Sequence, residues 1–214
     1  MCDENGRKAL ERPSRELIEK LKTFTVPELC DGAGVYHAMD YRIKLRTGRV
    51  RIAGPAVTVD VPSGEGAIVA DAILSAEPGD VLVIAGKGNC DSSYWGDHRS
   101  VCAAMKGLEG VVIDGAFRDL EGCEEAGFPV FAKGLTCGTA AKSGAGAVNV
   151  PVSCGGVAVC PGDLVVGDVN GVLVFAPEDA KAIMERALKK RQAQARVLEE
   201  MRRTKTVIPR IKMQ

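Results

Sequence analysis

The sequence lacks the markers of several common protein classes. It has no excess charge: 28 Lys and Arg against 28 Asp and Glu leave a formal net charge of zero. That removes the electrostatic case for nucleic acid or an anionic membrane surface as partner. No apolar run reaches the roughly 18 residues that a membrane span needs. The opening MCDENGRKALERPSRE is polar and charged, with no secretory h-region, so a cytoplasmic location is expected. Only two histidines occur, His37 and His98, which disfavours a histidine-built metal site. The eight cysteines, at positions 2, 30, 90, 102, 123, 137, 154 and 160, contain no CxxC pair. Zinc sites usually draw two ligands from one short turn, so that reading fails. Most of these cysteines lie in apolar or Gly-rich surroundings, and structural thiols are expected. No strand followed by GxGxxG and a later acid marks a nucleotide-type cradle.

What is present is a chain of 214 residues, 46% of them hydrophobic, enough for one sizeable domain. Residues 14–24 (SRELIEKLKTF) suit a helix capped by Ser14, with Leu17, Ile18, Leu21 and Phe24 on one face. Thr25-Val-Pro-Glu28 has capping-box spacing and opens a short helix that Gly32 should close. Residues 51–61 read as a strand, 66–77 as a helix and 81–86 as a strand. A helix at 97–106, a strand GVVIDG from 110 and a short helix over 120–126 follow. Strand and helix alternate, and the strands are near-continuous apolar runs, the pattern of strands covered on both faces. From Phe128 to Phe175 short Gly- and Val-rich strands read as a compact β-layer. EPGDVLVIAGKG and CPGDLVVGDVNG look alike, which pseudo-repetition or a shared Pro-Gly turn explains equally well.

Residues 178–203 form a long helix in which Ala180, Met184, Ala187, Ala195 and Leu198 share a face that Arg191 interrupts. With the core already built, that stripe is expected to pack on a neighbouring subunit. The expected organisation is an N-terminal helical segment over 1–24, an α/β catalytic domain over 25–177, and a C-terminal helix and tail over 178–214.

The chemistry gathers in two places. Gly96-Asp97 begins a helix, so the amides of Gly96, Asp97, His98 and Arg99 are expected to point outward as a cradle for a carboxylate or phosphate. Twenty residues after Asp97, the strand GVVIDG delivers Arg118-Asp119. Either aspartate alone reads as a helix N-cap. Together, in a strand-turn-helix arrangement, they fall on the carboxyl edge of neighbouring strands, where open sheets bind ligands. Two carboxylates with water suit a hard cation such as Mg²⁺. Arg118 can hold the oxygens of a small oxo acid in forked geometry.

An Asp, twenty residues and Arg-Asp resembles the signature of the 4-hydroxy-4-methyl-2-oxoglutarate/4-carboxy-4-hydroxy-2-oxoadipate aldolases, class II pyruvate aldolases of the RraA-like family. The resemblance runs from about Glu28 to Arg203, through DGAG (31–34), IAGPAVTV (52–59), EPGDVLVI (77–84), GVVIDGAFRD (110–119), FPVFAKG (128–134) and 148–177. It implies a layered β/β/α fold of the swivelling-domain type with a C-terminal helical arm. It also implies a homotrimer or homohexamer with the active site at a subunit interface. On that resemblance Asp119 matches the carboxylate that ligates a divalent metal, Mg²⁺ or Mn²⁺. Arg118 matches the arginine on the pyruvyl oxygen, and Asp97 the carboxylate that holds metal-bound water. The amides from Gly96 to Arg99 match the loop that grips the pyruvate carboxylate.

The reaction implied is retro-aldol cleavage of a 4-hydroxy-2-oxo acid to pyruvate and a second oxo acid, with oxaloacetate decarboxylation as a side activity. His98 and Arg99 depart from the apolar residues usual there, and Arg99 either reads a second carboxylate or faces solvent. The family also holds RraA regulators, which inhibit the ribonuclease E endonuclease and lack the full signature. The signature's presence here points to the enzyme, and the His98-Arg99 change keeps open a family member that acts on another small oxo or hydroxy acid.

Overall fold

The computed structural model describes residues 12–34, 37–48 and 50–210. Residues 1–11 of the expected N-terminal segment, Cys2 among them, and residues 211–214 of the tail lie outside it. Helix α1 (Arg15–Lys22) starts where expected, with the Ser14 hydroxyl accepting from the Leu17 amide at 3.2 Å. Helix α2 (Val26–Ala33) opens on the capping box: Thr25 N–H donates to Glu28 Oε2 at 2.8 Å and Glu28 N–H to Thr25 Oγ1 at 3.4 Å. It ends at Gly34, in a positive-φ conformation, and not at Gly32.

A two-residue strand β1 (Lys44–Leu45) precedes three parallel strands: β2 (Ile52–Asp60), β3 (Val81–Ala85) and β4 (Gly110–Phe117). Their crossover helices are α3 (Val69–Ser75), shorter than expected, and α4 (Asp97–Lys106), with the expected bounds. Helix α5 (Leu120–Glu125) leads to the parallel strand β5 (Val130–Leu135). Strands β6 (Ala147–Val148), β7 (Val152–Cys154), β8 (Val157–Val159), β9 (Leu164–Asp168) and β10 (Gly171–Phe175) follow. The sheet runs β1-β5-β4-β3-β2-β9-β10, with β6 against β2 and β7-β8 as a separate hairpin. It nearly closes on itself, since Lys44 at one edge donates to the Asn170 carbonyl beside the other.

Alternation along each strand divides the apolar runs between two cores. Leu82, Ile84, Val111, Ile113 and Val130 pack under α3, α4 and α5, where Trp95 stacks on Phe128 at 5.7 Å. Val81, Val83, Val112 and Phe131 face the other way, onto the β7-β8 hairpin and β9-β10. The two Pro-Gly-Asp stretches are matching turns: Asp80 Oδ2 accepts the Glu77 amide and Asp163 Oδ2 the Cys160 amide, each at 2.7 Å. A shared turn accounts for their likeness.

The long helix α6 (Ala180–Thr204) corrects one expectation. Its Ala180, Ile183 and Ala187 are buried, with Met184 beside them, against α1, α2, β9 and β10 of the same chain. Arg191 sits over the Phe24 ring at 4.2 Å and donates to Glu28 at 2.8 Å. Ala195 and Leu198 are exposed, so only the part beyond Arg191 has an apolar stripe uncovered by the described residues. Gly32 explains the close approach, because a Cβ there would strike the Ile183 carbonyl. Gly32→Ala should therefore cost about 1–3 kcal/mol by forcing the helices apart; an unchanged urea midpoint would count against this packing.

The cysteines divide. Cys30, Cys90, Cys102, Cys123, Cys137 and Cys154 are free, and burial pushes the Cys123 and Cys154 thiols up, away from reactivity. Cys160 is only half-buried, on the turn that enters β9, rather than within the core.

Candidate functional site

The carboxyl edge of β3 and β4 brings the two expected segments together. A cleft of about 220 Å³ is lined by Trp95, Gly96, Asp97, His98, Arg99, Arg118 and Asp119 on one side and by Gly66 and Thr139–Lys142 on the other. Its floor is Trp95, 1% exposed, whose indole N–H donates to Ser100 Oγ at 2.8 Å. The Arg118 amide donates to the Trp95 carbonyl at 3.0 Å, which joins the end of β4 to the loop before α4.

Asp119 holds the N-cap position of α5, yet its side chain makes no capping bond. Its φ is +56°, a conformation that costs an ordinary residue roughly 1–2 kcal/mol and that Asp and Asn tolerate best. Such strain persists where the surroundings impose it, commonly at functional sites. It turns the carboxylate toward Gly96, where an added Cβ would lie 2.6 Å from Asp119 Oδ2. Arg118 Nε donates to the same oxygen at 3.1 Å. Oδ1 accepts no hydrogen bond among the described residues. The terminal nitrogens of Arg118 are likewise unengaged there, and its side chain is 44% exposed.

Asp97 is the first residue of α4, and Gly96 takes the N-cap position. Its Oδ1 accepts the His98 amide at 2.5 Å, so the expected cradle loses that one donor. Gly122 lets the segments meet, since a Cβ there would lie 2.6 Å from Asp97 Cβ. Arg99 does not face solvent, one of its two expected fates. Its guanidinium turns back under the cleft wall and donates to the Gly66 carbonyl at 2.6 Å and to the Tyr94 carbonyl. Burial first, and the Arg118 charge second, push its pKa down. His98 stays exposed at the cleft rim, with Cys102 Sγ 3.9 Å from its Nε2.

Among the described residues no group of three His, Cys, Asp or Glu side chains could cage a metal ion. Asp119, with one unengaged oxygen, and Asp97 nearby fit a hard cation that keeps most of its waters and takes one protein carboxylate. The acid within the strand itself, Asp114, stays outside the site: it pairs with Lys133 and accepts the Gly155 amide at 2.9 Å.

Three contributors escaped the sequence reading. Lys142 and Thr139 line the cleft from a loop of Ala and Gly with no motif of its own. Glu65 is 4% exposed and anchors that loop. Hydrogen bonds, from the Ala67 amide first and the Ser143 hydroxyl next, hold its carboxyl down to about 2. A carboxyl depressed in the fold contributes fully above its ordinary value of 4.5 and loses that contribution as pH falls toward about 2. Acidification to pH 5 should thus leave the loop anchored.

Residues 26–174 match the RraA-like family, described as Aldolase/RraA. A protein of Halalkalibacterium halodurans, provisionally named 4-hydroxy-4-methyl-2-oxoglutarate aldolase, is 39% identical over 82% of this chain and 83% of its own. An uncharacterised protein of Pseudomonas syringae pv. tomato superposes with TM-score 0.79 at 26% identity, over 90% of this chain and 91% of that one. The RNA-processing inhibitor RraA of Thermus thermophilis superposes with TM-score 0.66 at 31% identity, over 72% of this chain and 93% of that one. No helix among the described residues is long and apolar enough to cross a membrane.

Proposed function

Because the chain belongs to the RraA-like family, we propose that it is a divalent-metal-dependent pyruvate aldolase. It cleaves a 4-hydroxy-2-oxo acid to pyruvate and a second oxo acid, and decarboxylates oxaloacetate as a side reaction. The observation that carries this reading is the strained Asp119, held with Arg118 against Gly96 and within one cleft with Asp97. Asp119 would hold the cation, Mg²⁺ or Mn²⁺, which when bound supplies Lewis-acid polarisation of the 2-oxo group.

The rest falls to the chain's own groups. The amides of Gly96, Asp97 and Arg99 grip the substrate C1 carboxylate at the start of α4. The free guanidinium nitrogens of Arg118 donate to the C2 oxygen as it gains charge. The 4-hydroxyl passes its proton through water to Asp97 Oδ2, the C3–C4 bond breaks, and its electron pair becomes the enolate of pyruvate while C4 leaves as the carbonyl of the second oxo acid. Asp97 Oδ2 then relays a proton through water to C3, which completes pyruvate. Decarboxylation of oxaloacetate passes through the same enolate. The exposed far half of α6 fits a trimer or hexamer in which neighbours complete the site.

Pyruvate release from 4-hydroxy-4-methyl-2-oxoglutarate and from oxaloacetate, with Mg²⁺ and then with excess EDTA, tests the reading. Turnover should appear with Mg²⁺ and vanish with EDTA; full turnover in EDTA would refute the metal. A second reading, an RraA-type inhibitor of an RNA-processing enzyme, is favoured by the likeness to the Thermus protein. It predicts no pyruvate from either substrate under any metal.

A further inference from the structure

We propose that Glu65 is a positioning residue for the distal half of the cleft. By fixing the wall Thr139–Lys142, it selects the part of the substrate beyond the pyruvyl unit. The inference rests on the aldolase reading and deepens it.

Glu65 does not line the cleft; it lies behind one wall, in the loop between β2 and α3. Its Oε1 accepts from the Gly66 and Ala67 amides at 2.9 and 2.8 Å, within its own loop. Its Oε2 accepts from the Ser143 amide at 2.8 Å and the Ser143 hydroxyl at 2.7 Å, across 78 residues of chain. A buried carboxylate is costly unless its oxygens are satisfied; here Oε2 serves the far loop alone, and Oε1 spans both, accepting the Gly144 amide at 3.4 Å as well. The two loops also exchange backbone bonds, Gly66 N–H to Ala141 O at 3.1 Å and Ala141 N–H to Gly64 O at 2.7 Å. Arg99 ties the same Gly66 carbonyl to α4.

The wall needs this anchor. The stretch TCGTAAKSGAGA, residues 136–147, is largely exposed and carries almost no regular structure or large apolar side chain. Ser93 bridges to Thr139 at one end of it, with its N–H on the Gly138 carbonyl at 3.2 Å, and the Ser143 bonds to Glu65 fix the other, so that, across from Arg118 and Asp119, the wall presents Lys142 and Thr139. Those two face the distal end of the substrate once Arg118, Asp119 and the α4 amides have taken the pyruvyl end. An ammonium and a hydroxyl there suit a short, oxygen-rich anionic group such as a second carboxylate.

Glu65→Gln tests the proposal, because its carboxamide sets an N–H donor against donors that now point at oxygen. Two readouts separate the halves of the site: cleavage of 4-hydroxy-4-methyl-2-oxoglutarate, which needs both, and deuterium exchange at the pyruvate methyl group in D₂O, which needs only the pyruvyl half. The variant should lose on the order of 10–100-fold in cleavage kcat/KM, chiefly through KM, as a displaced contact does. Exchange should change by less than about 3-fold, the range of an unperturbed half-site. Ser143→Ala, which removes one donor and adds no clash, should shift cleavage the same way by a smaller factor; it carries the test if the Gln variant does not fold. An equal loss in both reactions, or no loss in cleavage, overturns the proposal. Wild-type protein that performs neither reaction would instead sink the aldolase reading itself.

Discussion

Asp119→Asn should leave the protein folded and take kcat down by on the order of 10³-fold or more, the several kcal/mol that a bound cation contributes to the transition state. Stability should hardly move. Asn tolerates the +56° backbone as well as Asp does, so the strained turn stays in place. The ion pair with Arg118 is lost, but both side chains are partly exposed, at 44% and 39%, and such pairs contribute at most about 1 kcal/mol. What disappears is the charge on Oδ1, the oxygen that no described group engages. Titration of Mn²⁺ should show weakened affinity in this variant. Asp97→Asn should behave differently: its amide oxygen can still accept the His98 N–H, metal affinity should persist, and turnover should fall through loss of the proton relay. Equal loss of Mn²⁺ affinity in the two variants would show that their roles are wrongly divided.

The elements that were legible in the sequence are those whose cause is local. The capping box at Thr25 and Glu28, the start of α4 at Gly96-Asp97 and the apolar run of β4 are fixed by neighbours in the chain, and each forms as expected. The meeting of the candidate residues in one cleft was legible for the same reason, because Asp97 and Arg118-Asp119 each sit at a strand-to-helix junction whose position the pattern gives. What escaped depends on distant partners. Gly32 reads as a helix end until α6 is seen to press against it. Gly122 is one more glycine in a short helix until Asp97 Cβ is placed over it. The stripe on α6 was visible, but not that its first turns serve α2 of the same chain while Arg191 locks onto Phe24 and Glu28. Glu65 gave no signal at all, since a lone acid in PSGEGA means little until Ser143 arrives. Periodicity reports which face is apolar; it does not report what covers that face.

Arg118→Lys should cost on the order of 10²-fold or more in kcat, the scale of one lost oxyanion donor. The change keeps the charge, so a role limited to attracting an anion would survive it. The geometry argues for more than attraction. Arg118 leaves the rigid end of β4, its amide fixed to the Trp95 carbonyl at 3.0 Å, and its Nε is occupied by Asp119 Oδ2 at 3.1 Å. That bond fixes the plane of the guanidinium and leaves the two terminal nitrogens unengaged by any described residue, a fork that on the aldolase reading meets the C2 oxygen. Lysine offers a single ammonium on a flexible stem: it can pair with Asp119 or reach the substrate oxygen, and it has no planar group to do both at set positions. The neighbouring Arg99 cannot replace it, being turned back onto the Gly66 and Tyr94 carbonyls. The loss should therefore fall on kcat, and on pyruvate methyl exchange to the same degree, with KM little changed. A variant that raised KM alone would make Arg118 a group that binds substrate and transition state equally.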